Sequence, residues 1–200
     1  MAVTVGIDEV GRGCWAGPLV AAAVILPETF VAEHPKLLRD SKKMTKKQRS
    51  HAVTILQSQV KSIGVGWVTP GEIDRFGLTK SVRLAMLRAM KQLHMATFTY
   101  DQIVIDGNYN FLQDVQGLST DSIVTIVRAD DQVPAVSAAS VIAKVARDEY
   151  MARLADKYPG YGFEAHVGYG TSKHLEALKA YGATPVHRLS FAPLQPFLDK

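Results

Sequence analysis

Cysteine is nearly absent from this chain: Cys14 is the single one in 200 residues. An internal disulfide is therefore excluded, and an intracellular setting is the expectation. With no base beside it in the sequence, Cys14 reads as a small packing residue. Long apolar runs are missing as well. The longest, Leu19 to Leu26, is far too short to cross a bilayer. The first residues enter a strand-like run at once, without the basic stretch and apolar segment of a signal peptide. A soluble cytoplasmic protein, taken as a monomer with no membrane association, is the expectation. Internal repeats, low-complexity tracts and linkers are lacking too, which points to one domain over residues 1–200. No cluster of His and Cys competes for a metal, which argues against zinc.

What is present is enough apolar material for a core. Hydrophobic residues make up 47% of the chain and charged residues 21%, so intrinsic disorder is not expected. The net charge of +4 is only mildly basic, but its distribution is uneven. Between Lys36 and Arg49 stand Lys36, Arg39, Lys42, Lys43, Lys46, Lys47 and Arg49, opposed only by Asp40. Such a run is either a solvated helix face or a patch that attracts phosphates.

Strand-like runs cover Val3–Asp8, Leu19–Leu26, Ser62–Val68, Gln102–Asp106 and Ile123–Arg128. The second is apolar at consecutive positions, as in a strand buried on both faces. Helical periodicity covers about Lys46–Val60, Lys80–His94, Val136–Lys157 and Ser172–Tyr181, with Thr45 and Thr79 as candidate N-caps. Thr69-Pro70-Gly71 separates the third strand from a short turn of helix. Short connections among the first three strands suggest an antiparallel meander, and the longer crossovers before the last two suggest parallel strands. The fold class is α/β: a five-stranded mixed sheet with helices on both faces, plus a small helical C-terminal part. Small residues open the long helix, at Ala138, Ala139, Ser140 and Ala143, and suit a close approach of helix to sheet.

The chemistry is carried by acids. Asp8 and Glu9 stand side by side at the end of the first strand, and buried carboxylates are costly unless paired or bound to a cation. Asp106 closes the run Ile103-Val104-Ile105, and Asp130 follows the last strand after Arg128-Ala129. Singly, each reads as a turn residue or helix cap. Together, three strands finishing in acid point to one crevice at the sheet edge. Oxygen ligands of this kind suit Mg²⁺, and two such ions would offset four carboxylates in phosphodiester hydrolysis.

The chain resembles ribonuclease HII. The resemblance rests on Gly6-Ile7-Asp8-Glu9-Val10-Gly11-Arg12-Gly13 with Ala16-Gly17-Pro18, Asp40-Ser41-Lys42-Lys43, Glu72-Ile73-Asp74, Ile105-Asp106-Gly107-Asn108, Ala129-Asp130, Ser137 to Val145, Gly168-Tyr169-Gly170-Thr171 and His187-Arg188-Leu189-Ser190-Phe191. These segments fall in order over nearly the whole chain. The resemblance implies a ribonuclease H-like fold and endonucleolytic cleavage of RNA in RNA–DNA hybrids and at single ribonucleotides in duplex DNA. Cleavage would fall 5′ of the ribonucleotide at RNA–DNA junctions and leave 5′-phosphate and 3′-hydroxyl ends. It also implies Asp8, Glu9, Asp106 and Asp130 as catalytic metal ligands, with Mg²⁺ or Mn²⁺ as cofactor. By the same analogy Gly11, Arg12 and Gly13 grip the 2′-hydroxyl and neighbouring phosphate, and Tyr169 stacks on the next deoxyribose. Lys42, Lys43 and Lys144 become phosphate-binding candidates, and Arg188 is either another or a structural ion-pair partner. The C-terminal part, about 160–200, would contribute to substrate binding.

Some positions depart from the family pattern. Cys14-Trp15 replaces the common Pro and smaller apolar residue, and Val167 stands where many relatives carry Lys. His166 beside it is expected to be solvated, with a backbone contact or a proton-transfer role as the other readings. Against ribonuclease HIII stand the position of Asp8 at the start and Asp, not Glu, as fourth acid. No clear clamp-binding peptide is seen at Pro193–Lys200. The rival functions are another nuclease on this fold, such as a junction resolvase, and a non-catalytic hybrid-binding module.

Overall fold

The structure is a computed structural model that describes residues 3–38, 41–93 and 100–198. Arg39, Asp40, His94, Asp199, Lys200 and the side chain of Lys42 lie outside the described residues. In chain order the elements are β1 (Thr4–Val10), β2 (Leu19–Ile25), α1 (Phe30–Glu33), α2 (Lys46–Gln59), β3 (Ser62–Val68), α3 (Pro70–Phe76), α4 (Leu78–Gln92), β4 (Gln102–Asp106), β5 (Ile123–Ile126), α5 (Pro134–Lys157), α6 (Phe163–His166) and α7 (Ser172–Tyr181).

The sheet order is β3-β2-β1-β4-β5. β1, β2 and β3 pair antiparallel, while β4 pairs parallel with β1 and β5 parallel with β4. The mixed sheet read from the sequence is therefore present. All seven residues of β2 are buried, and they divide by the two-residue period of a strand. Ala21, Ala23 and Ile25 face a core completed by Val82, Ala85, Met86 and Ala89 of α4. Val20, Ala22 and Val24 face the opposite core, formed with Leu56 of α2 and Ala138, Ala139, Ile142 and Ala143 of α5. Helices thus cover both faces. The small residues of α5 let it come very close to the central strand: a Cβ on Gly6 would lie 2.1 Å from the Ala135 carbonyl carbon.

Local signals placed most element ends. Thr45 and Thr69 both form capping boxes, with Gln48 and Glu72 respectively. Thr79 is not a cap. Gly77, with φ of 76°, ends α3 and starts α4, so Thr79 falls inside the first turn of α4. The first strand also runs further than its apolar pattern suggested, because antiparallel pairing with β2 continues as far as Val10↔Val20. Asp8 and Glu9 therefore sit within a strand and not after it. At the far edge β5 is shorter than the sequence suggested, ending at Ile126, and Arg128 takes a left-handed φ of 59°.

The C-terminal part builds its own apolar cluster. Tyr161, Phe163, Ala177, Leu178, Leu194 and Phe197 pack with Met151 and Leu154 of α5 and with Ala16 from the loop after β1. Leu194 and Phe197 are buried there, while Leu198 is 43% exposed.

Candidate active site

Parallel pairing decides which acids meet. Ile7 pairs with Ile105, so Asp8 and Asp106, each one residue further on, emerge side by side from β1 and β4. Residue parity puts Asp8 on the same face as Gly6, against α5, and Glu9 on the same face as Ile7. Asp8, Glu9 and Asp106 line one cavity of about 400 Å³ together with Ser41, Ser140, Lys144 and Tyr169.

Among the described residues, Arg12 is the one cation in contact with these carboxylates, and it reaches Glu9 alone. Asp8 is 8% exposed. Its carboxyl is pushed up to about 8, first by burial, then by the negative charge of Glu9 and, more weakly, of Asp106. Two hydrogen bonds oppose that shift. Ser140 donates to Asp8, and the Glu9 amide donates to Asp8 Oδ1 at 2.7 Å. The Ser140 oxygen lies 2.9 Å from that of Ser41, so a hydroxyl chain runs beneath the carboxylate. Glu9 is also raised by burial, with Arg12 opposing that shift and Asp106 adding to it. Arg12 Nη1 lies 3.3 Å from Glu9 Oε1, and its guanidinium sits over the Phe111 ring. Asp106 Oδ1 accepts from the Ala129 amide at 2.7 Å.

Asp130 is brought near but not into the same cavity. It is buried on the turn that begins at Ala129, one residue beyond the amide held by Asp106. It lines a second cavity with Val133, Pro134 and Ser137. The Ser137 hydroxyl is buried there without a hydrogen-bond partner among the described residues. Of the four expected carboxylates, Asp8, Glu9 and Asp106 line one cavity and Asp130 lines another. Among the described residues, no three acidic, His or Cys side chains close into a ready coordination sphere. The donor set still fits a hard divalent cation: all donors are oxygens, and burial, with neighbouring carboxylates adding, raises Asp8 and Glu9, a cost that a bound cation would offset.

The basic candidates separate into two kinds. Lys43 is exposed and pairs with Asp131 at 3.1 Å. Lys144, on the cavity wall, pairs with Asp148 at 2.7 Å, and Asp148 also meets Arg49. Lys42 carries no description beyond its backbone. Arg188 is different: it is fully buried. Its Nε and Nη2 donate to the Gly17 carbonyl and its Nη1 to the Arg12 carbonyl. Burial pushes it down to about 10, which leaves it charged at neutral pH. Among the described residues its hydrogen bonds end on backbone carbonyls, and through the Arg12 carbonyl it holds the Gly-Arg-Gly loop from behind.

Sequence reasoning missed the partner of that clamp. Arg147 of α5 is also fully buried. It donates to the carbonyls of Pro18 at 2.8 Å, Val167 at 2.8 Å and Ala16 at 3.1 Å. The signal was available: Ala139, Ala143, Arg147 and Met151 form one i, i+4 stripe, and an Arg inside an apolar stripe needs internal acceptors. Two members of the quoted motifs also prove to be braces. Glu72 pairs with Arg88 at 2.6 Å, which with the Thr69 cap holds its carboxyl down to about 2. Asp74 accepts from the amides of Leu189 and Ser190.

Tyr169 stands at the cavity rim, 43% exposed. Its hydroxyl bonds to the Cys14 thiol, and burial is the main cause of its raised pKa. Cys14 is fully buried, as a packing residue should be. The loop before Tyr169 is built close against the loop after β1: Gly168 has φ of 85°, and a Cβ there would lie 2.3 Å from the Ala16 carbonyl oxygen. His166 is buried, not solvated; it bonds to the Tyr161 carbonyl and the Gly168 amide.

A mixed five-stranded sheet with acids gathered at the end of its central strand defines a nuclease of the ribonuclease H class. Solved structures share the architecture. Ribonuclease H2 from Pyrococcus horikoshii OT3 superposes with a TM-score of 0.85 at 25% identity, covering 98% of this chain and 97% of that one. Bst-RNase HIII in complex with Mn²⁺ superposes with a TM-score of 0.79 at 22% identity, covering 99% and 70%. The family profile described as Ribonuclease HII matches residues 5–194. Ribonuclease HII of Trichodesmium erythraeum (strain IMS101) is 41% identical over 98% of this chain and 90% of its own. That of Bacillus cereus (strain Q1) is 43% identical over 98% and 71%. The chain belongs to the ribonuclease HII family and is a metal-dependent ribonuclease H. Among the described residues no helix is long and apolar enough to cross a membrane.

Proposed function

We propose that this protein hydrolyses the RNA strand of RNA–DNA hybrids and cuts duplex DNA on the 5′ side of a single embedded ribonucleotide. Water adds to phosphorus as the bond to the 3′-oxygen breaks, leaving a 5′-phosphate and a 3′-hydroxyl. The observation that carries this reading is the trio Asp8, Glu9 and Asp106, with Asp8 buried, lining one cavity with Lys144 and Tyr169. Asp130 is the fourth member, reached through the turn that Asp106 holds. Two Mg²⁺ or Mn²⁺ ions bound by these carboxylates would supply charge neutralisation and water activation.

The remaining roles belong to the chain itself. Ser140 and the Glu9 amide keep Asp8 oriented toward the cavity. Gly11, Arg12 and Gly13 form the loop that accepts the 2′-hydroxyl and adjoining phosphate, and Arg188 and Arg147 hold that loop and its flank at a fixed height. Tyr169 stacks on the sugar 3′ of the ribonucleotide, where a second 2′-hydroxyl would crowd it. Lys42, Lys43 and Lys144 meet the backbone phosphates, which gives affinity without sequence preference. The C-terminal part supplies Tyr169 and so belongs to the substrate site. The protein acts as a cytoplasmic monomer in this reading. The Archaeoglobus fulgidus relative was solved as a PCNA:RNase HII complex; no sliding-clamp partner is proposed for this chain.

The test is cleavage of a DNA duplex carrying one ribonucleotide beside the same duplex in all-DNA form, with Mg²⁺ and with chelator. Metal-dependent cutting only at the ribonucleotide is expected. Equal cutting of both duplexes would instead favour a general nuclease, and tight binding without cutting a passive binding module.

A further inference from the structure

Behind Tyr169 lies a buried group of three histidines that neither the metal site nor the phosphate contacts use. Backbone partners settle which ring nitrogen carries each proton, because an amide can only donate and a carbonyl can only accept. The Thr184 amide donates to His187 Nδ1 at 3.0 Å, so that nitrogen is bare and Nε2 carries the hydrogen. His187 Nε2 lies 3.1 Å from His174 Nε2. His174 Nδ1 lies 2.9 Å from the Tyr169 carbonyl, so Nδ1 carries the hydrogen and Nε2 is bare. The two assignments, made from opposite ends, agree at the middle contact: His187 donates and His174 accepts. A directed chain runs from Thr184 through His187 and His174 to the Tyr169 carbonyl. His166 adds a second pin, because its Nδ1 accepts from the Gly168 amide and its Nε2 donates to the Tyr161 carbonyl.

We propose that His174, oriented by His187, is a positioning residue that sets the height of Tyr169 at the cavity rim and thereby the preference for a lone ribonucleotide. The proposal deepens the functional reading above and rests on the role given there to Tyr169. Its surroundings suit a fixed and neutral relay. His174 stacks on His166 at 4.6 Å and 12° and is walled by Trp15 and Phe163. His187 is packed by Tyr161 and Phe163. Burial holds both His174 and His187 down to about 4, so neither ring is charged near neutral pH. A proton on His174 Nε2 would point at the hydrogen of His187 Nε2, so the chain works in one protonation state only.

Two measurements test the idea. Long-range ¹H–¹⁵N spectra of the wild-type protein at neutral pH report which ring nitrogens are protonated. The expected result is Nδ1–H on His174 and Nε2–H on His187 and His166; Nε2–H on His174 would overturn the proposal without any activity assay. The second measurement is the cleavage ratio between a single-ribonucleotide duplex and an all-RNA hybrid. His174→Phe keeps the aromatic packing and removes the donor, and should lower that ratio by about 10-fold, the weight of one hydrogen bond. His174→Asn, whose amide nitrogen can stand near the Nδ1 position, should restore most of it. If Tyr169→Ala lowers the ratio but His174→Phe does not, the positioning role fails alone. If Tyr169→Ala leaves the ratio unchanged, the reading of Tyr169 fails and the relay with it.

Discussion

Buried charge is treated in opposite ways on the two sides of the cavity. At the ends of β1 and β4, Asp8 and Glu9 are buried beside Asp106 with too few donors, and their carboxyls are raised. Behind the loop after β1, Arg147 and Arg188 are buried more completely, yet every contact named for them ends on a backbone carbonyl. The contrast separates machinery from scaffold. A group left short of partners is held in readiness for something from outside, whereas a group with a full set of partners fixes the shape of the chain.

Asp8→Asn should break this contrast most strongly. Removing one carboxylate from the trio should lower cleavage by about 10³-fold while hybrid binding, measured by anisotropy, is largely kept, because phosphate attraction does not depend on a negative charge. Wild-type cleavage by this variant would end the assignment. Asp130→Asn should also lower cleavage, as a fourth ligand would, with hybrid binding largely kept. On the scaffold side, Arg147→Met leaves three carbonyls without their donor, and urea unfolding should show a loss of about 3 kcal/mol.

Acidity sharpens the comparison further. Asp8 titrates near 8 in the fold against an ordinary 3.8, so its protonated form stabilises the metal-free protein. That contribution is complete below pH 3.8 and is lost as pH rises through about 8. His174 and His187 act in the reverse sense. Held near 4 against an ordinary 6.5, their neutral rings contribute stability above pH 6.5 that is lost as pH falls through about 4. Thermal unfolding with chelator should therefore show a decline toward pH 8 that Mn²⁺ reverses and Asp8→Asn flattens, and a separate decline toward pH 4 that neither change touches. A metal-free protein whose stability climbs steadily from pH 4 to 8, with no share from Asp8, would contradict this picture.

The smallest effect is expected on the exposed rim. Lys43→Ala should leave unfolding unchanged, because its pair with Asp131 is exposed to solvent. Hybrid affinity should drop a few-fold, and the slope of log K against log salt should fall by about one unit. An unchanged salt slope would remove Lys43 from the substrate contacts.

The acids were legible because carboxylates inside an apolar strand are too costly to be accidental, and the sheet followed from the run lengths and crossovers. Thr45 was legible through Gln48, three residues away, whereas Thr69, which caps in the same way with Glu72, was read only as a break. Thr79 misled because a left-handed Gly77 ended one helix and began the next. Arg188 misled for a different reason: its acceptors are carbonyls of Arg12 and Gly17, which no side-chain pattern announces. Arg147 did leave a signal, an arginine inside an apolar i, i+4 stripe, whereas the partners of Ser140 and of the histidine chain are set by the tertiary fold.

Alternating and continuous apolar runs, together with four acids after or within them, determined by themselves that this chain makes a mixed sheet bearing a carboxylate site. Only the tertiary structure decided that Asp106 stands beside Asp8, that Asp130 sits on the turn whose Ala129 amide Asp106 holds, and that two arginines and three histidines hold the loops. The reason is physical. Strand identity depends on residues close in sequence, but a buried charge is satisfied by whichever backbone group the fold delivers, and for Arg147 that group lies more than a hundred residues away.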